Sequence, residues 1–396
     1  MGFGLELSIR VGHVRRPGVD ILPVPRGARV TIGRSSACAI RLEGDDISRQ
    51  QALLCVGAEG TIATNLSSSK AIEVDGMSLG PGQSVQVGWG VKVDDHFIAV
   101  ADAALDGVVS LALDASGQRF LAGWESGRVE LRQVADRALL ATYELPSKTT
   151  SVAFDAEENI VLATHDLGAC CRWSIAADRA IAPIVLDHTS LSTVQVSSDG
   201  RHLLLCGTDL RRRHGQEATM MLVRPRYRGR PSRWSGEVGR SGACPFGALL
   251  CLVDANGAPV VRAQDFDVVH RAGFSEDGRW VWVEGATLDH RGQLGLQAEE
   301  RRGLIDVEAG QVLSWGLGAT PTWLREVLPM SLAGGGTFTA HGVLASTMAA
   351  AGERLVAVAR ARDGGVCLEL GADGCVTAWT QQRSHTLWRW TPRDAT

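Results

Sequence analysis

The sequence predicts an all-β protein made of two units in series. Three observations predict it. Apolar runs of four to eight residues alternate with Gly, Asp and Ser turns along the whole chain, which is the spacing of strands rather than helices. A turn-and-strand signature with Gly recurs along the C-terminal three quarters. Helical signals are nearly absent: only Trp323 to Met330 and Asp46 to Gln51 read as helical turns.

Length and composition bound the rest. At 396 residues, 45% hydrophobic, the chain is too long for one small domain. Its formal net charge of −4 argues against nucleic acid as a general partner. The start, MGFGLELSIR, lacks the basic, apolar build of a signal peptide. Met1-Gly2 opens like a myristoylation site, but Glu6 stands where Ser or Thr is needed. No apolar stretch approaches the roughly 20 residues that span a bilayer, so no membrane partner is expected. Nine cysteines are scattered without a Cys-x-x-Cys pair, as buried free thiols in a reducing cytoplasm would be. Cys170 and Cys171 are adjacent, and in a strand they face opposite ways. The ten histidines do not cluster at ligand spacing, so no metal or cofactor is expected. Nucleophile elbow, phosphate-binding Lys loop and paired-His motifs are all missing, and no catalytic residue is assigned.

The N-terminal quarter carries the sharpest motif. Residues 31–54 read TIGRSSACAIRLEGDDISRQQALL, and NLSSSKAIEVDG follows from Asn65. Gly33-Arg34, then Ser48-Arg49-Gln50-Gln51 after an acidic turn, then Ser69-Lys70-Ala71, then Asp75-Gly76 fall in order. This series resembles the forkhead-associated (FHA) domain, a β-sandwich that reads phosphothreonine. The resemblance implies a sandwich over residues 1–104 and a phosphopeptide site at Arg34, Ser48, Arg49, Ser69 and Lys70. Arg34 would be the planar fork for the phosphate, Ser48 and Ser69 hydroxyl donors, and Arg49 a second charge. Three positions depart from the family pattern. Gln51 stands where the family prefers a His that braces the loops. Lys70 replaces an Asn that bonds the ligand backbone, and would meet phosphate as a point charge. Ala71 replaces a turn Gly, and Ala tolerates positive φ poorly.

From about residue 105 the signature takes over. It reads DASGQRFLAGW from Asp114, DAEENIVLATH from Asp155, SSDGRHLLLCG from Ser197, SEDGRWVWVEG from Ser275 and AAAGERLVAVA from Ala349. The steps are 41, 42, 78 and 74 residues. Two are nearly doubled, so one unit is expected to be hidden in each, near Ser241 to Phe266 and Gly316 to Ala345, for a total of seven. A period near 40 is the length of a β-propeller blade, whose two apolar faces are buried by its neighbours in the ring. A second signature opens at Gly127, Gly168, Gly303 and Gly374. Trp173 and Trp379 within it resemble the WD-repeat pattern, which implies a divergent seven-bladed WD-repeat-like propeller over 105–396 with both tryptophans buried between blades. Val108 to Leu113 should open the first blade and His385 to Trp390 close the last.

The third repeat carries a basic stretch. Arg211, Arg212 and Arg213 precede RPRYRGRPSRW, which holds Arg226, Arg228 and Arg230. Two readings stand: a solvated insertion loop, which Pro225 and Pro231 suit, or an anion-binding patch for phosphoprotein, nucleotide or nucleic acid, with an acidic protein favoured over nucleic acid.

These readings give a non-catalytic cytoplasmic adaptor. Its FHA-like domain would dock a phosphothreonine protein or peptide, its propeller other proteins, in bacterial-type Ser/Thr kinase signalling. Two alternatives remain: an enzyme on the propeller, of the metal-dependent hydrolase type, and an FHA-like domain that docks protein without phosphate.

Overall fold

The computed structural model describes residues 7–13, 16–57, 60–88, 90–102, 106–186, 189–209, 248–263, 266, 268–275, 278–289, 297–316, 355–360, 366–371, 375–380 and 386–390. Among them every regular element is a strand. Asp46 to Gln51, read as a helical turn, is a loop instead.

Eleven strands make the N-terminal part: β1 (Leu7–His13), β2 (Arg16–Val24), β3 (Arg29–Gly33), β4 (Ile40–Arg41), β5 (Ala52–Gly57), β6 (Gly60–Asn65), β7 (Ile72–Val74), β8 (Met77–Leu79), β9 (Ser84–Val87), β10 (Val91–Val93) and β11 (His96–Asp102). They form a six-stranded sheet, β2-β1-β11-β10-β7-β8, and a five-stranded sheet, β4-β3-β5-β6-β9. Alternation puts Ile9 and Val11, Val30 and Ile32, and Ala52 and Leu54 into one core between the sheets, joined by Val74, Val91 and Ile98.

The remaining strands form five four-stranded antiparallel sheets, over 108–144, 149–185, 189–263, 268–316 and 355–390. The copy from Ala349 runs into the first strand of the fifth sheet, Leu355–Arg360, whereas in the first four repeat sheets the recurring signature is the hairpin between the first and second strands. Its leading Asp or Ser accepts backbone N–H bonds across the turn. Asp114 takes Gln118 and Arg119, Asp155 takes Asn159 and Ile160, Ser197 takes His202, and Ser275 takes Trp280. Gly117, Gly200 and Gly278 hold the positive φ that these turns need. The second turn lacks the glycine, and Glu158 takes the left-handed conformation there.

Among the described residues apolar clusters join the first sheet with the second, the second with the third and the third with the fourth. A further cluster joins the fifth back to the first through Leu368, Val376 and Trp390 against Phe120 and Trp124. Among the described residues the last sheet is built wholly from the C-terminal stretch, so it meets the first by face packing rather than through a shared strand. Cys170 and Cys171 do face opposite ways, one into the cluster with the third sheet and the other against that with the first.

The unit expected near Ser241 to Phe266 is not a separate sheet. Ala248–Asp254 and Pro259–Ala263 are the third and fourth strands of the third sheet, and Ala248–Asp254 pairs directly with His202–Asp209. Spacing between first hairpins cannot distinguish a long connection inside a sheet from an extra sheet. The expected unit at Gly316 to Ala345 lies almost wholly outside the described residues, so the count of seven does not hold as drawn. Trp173 and Trp379 are half-buried rather than enclosed. Trp173 lies on Tyr143 of the neighbouring sheet, with ring centroids 5.1 Å apart.

The outer face of the six-stranded sheet packs on the first two repeat sheets. Arg10 is 5% exposed. Its guanidinium donates to Glu144 Oε2 at 2.7 and 2.8 Å and to the Leu145 carbonyl at 2.8 Å. Gly12 lies so close that an added Cβ would stand 2.4 Å from Pro146 Cβ. Phe97 meets the His165 ring edge-on at 5.6 Å.

Candidate functional site

Three loops of the sandwich, one leaving β3, one entering β5 and one following β6, lock together. β3 ends at Gly33, where an added Cβ would lie 2.5 Å from the Arg49 carbonyl oxygen. Only glycine admits that approach. It lets the loop before β5 lie against the chain leaving β3: Arg34 N–H donates to the Ser48 carbonyl and Ser35 N–H to the Arg49 carbonyl, both at 3.1 Å. The Gly-Arg pair is thus one device, in which the glycine admits the loop and the arginine follows beside Ser48.

Gln51 holds the next connection. Its buried side chain accepts the Ser48 N–H at 3.0 Å, and its carbonyl accepts the Leu66 N–H at 2.9 Å. The amide also reaches the Lys70 carbonyl, at 3.5 Å. A glutamine therefore braces the loops at the position where the family pattern has a histidine.

The third loop turns on two residues that the sequence reading passed over. Asn65 is fully buried; its amide donates to the Lys70 and Leu79 carbonyls at 2.8 Å and its oxygen accepts the Ser67 N–H at 3.0 Å. Ser67 Oγ accepts the backbone N–H groups of Ser69 and Lys70 and lies 2.8 Å from Ser48 Oγ. An Asn followed two residues later by Ser at a strand end is an Asx-turn signal that could have flagged this pair. Asp75-Gly76, both at positive φ, makes the tight turn from β7 to β8. The Asp75 carboxylate accepts the Gly88 and Gly90 N–H groups.

The predicted site residues fall on these loops. Arg34, Arg49 and Ser69 are exposed, and Ser48 is half-buried. Among the described residues neither Arg34 nor Arg49 has a carboxylate partner. Lys70 differs: its Nζ is paired with Asp46 Oδ1, and that ammonium holds the Asp46 carboxyl below its ordinary range. The cation expected to meet phosphate as a point charge is already paired with a carboxylate on a neighbouring loop. Among the described residues these loops carry two exposed guanidinium groups without a carboxylate, together with the Ser48 and Ser69 hydroxyls, groups of the kind that bond a dianion.

Residues 30–93 match the FHA domain. An FHA domain is a non-catalytic protein-interaction module that binds phosphothreonine-containing proteins. The match excludes β1, β2 and β11, which complete the six-stranded sheet and carry most of the contact with the repeat sheets. No curated protein matches the chain in sequence. Solved structures that align over most of it include the Kuenenia stuttgartiensis hydrazine synthase, with TM-score 0.40, 11% identity, and coverage of 85% of this chain and 77% of that one. A mitotic checkpoint complex structure gives 0.39, 10%, 87% and 77%. Likeness at this level is loose, and the architecture rests on the sheets themselves.

Elsewhere, Arg211, Arg212, Arg213, Arg226, Arg228 and Arg230 lie outside the described residues. No group of three or more His, Cys, Asp or Glu able to hold a metal converges among the described residues. Those residues include no helix long and apolar enough to cross a membrane. Burial pushes the Cys170 and Cys206 thiols up to about 12, so both are protonated, inert side chains.

Proposed function

We propose that the protein is a non-catalytic adaptor whose FHA domain docks a phosphothreonine segment of a partner protein. The sandwich, residues 1–104, carries that site. Residues 105–396 form a WD-repeat-like propeller that presents its faces to further proteins, in a cytoplasmic, bacterial-type Ser/Thr kinase pathway. The arginine-rich stretch at 211–230 is assigned to an acidic protein partner. One observation carries the reading: three loops are cross-linked by their own hydrogen bonds, yet Arg34 and Arg49 are left exposed and, among the described residues, without carboxylates. Arg34 and Arg49 carry the phosphate charge, and Ser48 and Ser69 add neutral donors. Lys70 acts only as far as it leaves Asp46.

Calorimetry on the full chain with a phosphothreonine peptide library tests this. A charge-assisted bond contributes about 1.5–3 kcal/mol, so Arg34→Ala should weaken a cognate phosphopeptide roughly 10- to 150-fold. Equal binding of phosphorylated and unphosphorylated peptides would leave this face as a phosphate-independent protein-docking surface.

A further inference from the structure

Ser67 is 3% exposed and sits where the three loops meet. Its oxygen accepts Ser69 N–H at 3.3 Å and Lys70 N–H at 3.0 Å. The third contact, with Ser48 Oγ at 2.8 Å, can run either way on distance alone. Valence decides it. A serine hydroxyl has two acceptor lone pairs and one proton. Both Ser67 lone pairs face backbone donors, so its proton has to go to Ser48. The opposite direction would give Ser67 three donors for two lone pairs and strand its own proton in a closed site, which costs more than the bond returns.

With Ser48 Oγ as the acceptor, the Ser48 proton has no other partner among the described residues. The Ser48 N–H already goes to Gln51 and the Ser48 carbonyl to Arg34. Asn65 fixes the arrangement from behind by holding the Ser67 N–H and the Lys70 carbonyl.

We propose that Ser67 is a positioning residue that sets the proton polarity of the site. The chain of bonds runs from the turn backbone to Ser67, from Ser67 to Ser48, and from Ser48 outward to a phosphate oxygen of the bound phosphothreonine. Ser48 is thereby held as a donor before the ligand arrives, beside the Arg34 backbone. This rests on the phosphate-reading role proposed above.

The test has a ligand-free arm and a binding arm. In the wild-type chain, proton NMR should find the Ser67 hydroxyl protected from exchange, with a cross-peak to Ser48, and the Ser48 hydroxyl exchanging fast. The reverse pattern overturns the proposal whatever the variants do. Ser67→Ala should speed amide exchange at Ser69 and Lys70, and Ser48→Ala should not.

In calorimetry with a phosphothreonine peptide, Ser67→Ala should weaken binding by about 3- to 30-fold, and Ser67→Thr should restore it. Ser48→Ala should cost clearly less in the Ser67→Ala background than alone. If Arg34→Ala loses phosphopeptide and Ser67→Ala does not, the phosphate reading stands and the role of Ser67 falls. If the wild type does not distinguish phosphorylated from unphosphorylated peptide, both fall.

Discussion

Two arginines of the sandwich sit beside glycines that admit another segment, and their surroundings are opposite. At Gly33-Arg34 the glycine makes room for the Arg49 carbonyl, and the arginine is left exposed with no carboxylate among the described residues. At Arg10 and Gly12 the glycine makes room for Pro146, and the arginine is buried against Glu144 and the Leu145 carbonyl. The first arrangement keeps a cation available. The second spends it on holding the sandwich to the repeat sheets. Each glycine reports a close approach, of backbone at Gly33 and of a proline ring at Gly12, and the partners of the guanidinium decide whether the result is a site or a seam.

The largest effect should come from breaking the seam. Removing one partner of a buried ion pair strands the other. The Glu144 side chain keeps 33% exposure, which puts Arg10→Ala at about 3 kcal/mol of lost stability, the low end of the range for such pairs. Chemical denaturation would measure it, and phosphopeptide affinity should not change. Loss of peptide binding at unchanged stability would show that the two regions are not separate.

The glycines give a matched pair of variants, each costing about 1–3 kcal/mol by overpacking. Gly33→Ala meets backbone, which cannot rotate away, and should weaken phosphopeptide binding. Gly12→Ala meets the Pro146 ring and should spare it. Calorimetry on both variants would check the difference.

A smaller effect follows from pH. Burial pushes Asp166 up to about 7, and it holds His165 down at about 3. The folded state keeps the Asp166 proton from pH ~4 to ~7 where the unfolded chain has lost it, so this group makes stability fall as pH rises through that window. For His165 the unfolded chain binds the extra proton between pH ~3 and ~6.5, so stability rises with pH there. Each slope is at most about 1.4 kcal/mol per pH unit, and the two oppose. Asp166→Asn removes the falling term, so the variant should gain stability relative to wild type as pH rises from about 4 to 6.5. Parallel denaturation curves at all pH values would refute this.

The smallest effect belongs to the exposed pair Lys70 and Asp46. Asp46→Asn frees the ammonium and should tighten phosphopeptide binding by about two- to fivefold at low salt, with the gain fading at high salt. Calorimetry at two ionic strengths would show it.

Local chemistry was legible in the sequence and distant partners were not. The Asp-or-Ser-to-Gly hairpins announced the repeat sheets because one turn geometry needs those residues wherever it recurs. The third sheet misled the count because the long connection follows the strand that the signature marks, His202–Asp209, and comes before its pairing partner Ala248–Asp254. Gly33, Arg34 and Ser48 were readable because motif and backbone approach coincide. Lys70 was not, since Asp46, its partner, lies on another loop and only folding brings the two together. Arg10 and Glu144 are 134 residues apart, and no local pattern could pair them. Asn65 and Ser67 carry no ligand-binding signature because both are buried and bond the backbone of their own loop.

The most direct test of the central claim is an amide NMR titration of the full chain with a phosphothreonine peptide and its unphosphorylated twin. The predicted result is that the phosphorylated peptide alone shifts Arg34, Ser48, Arg49, Ser69 and Lys70, while Arg10, Gly12 and Phe97 stay still. Equal shifts from both peptides, or shifts confined to the seam, would contradict the assignment of this loop end as a phosphothreonine reader.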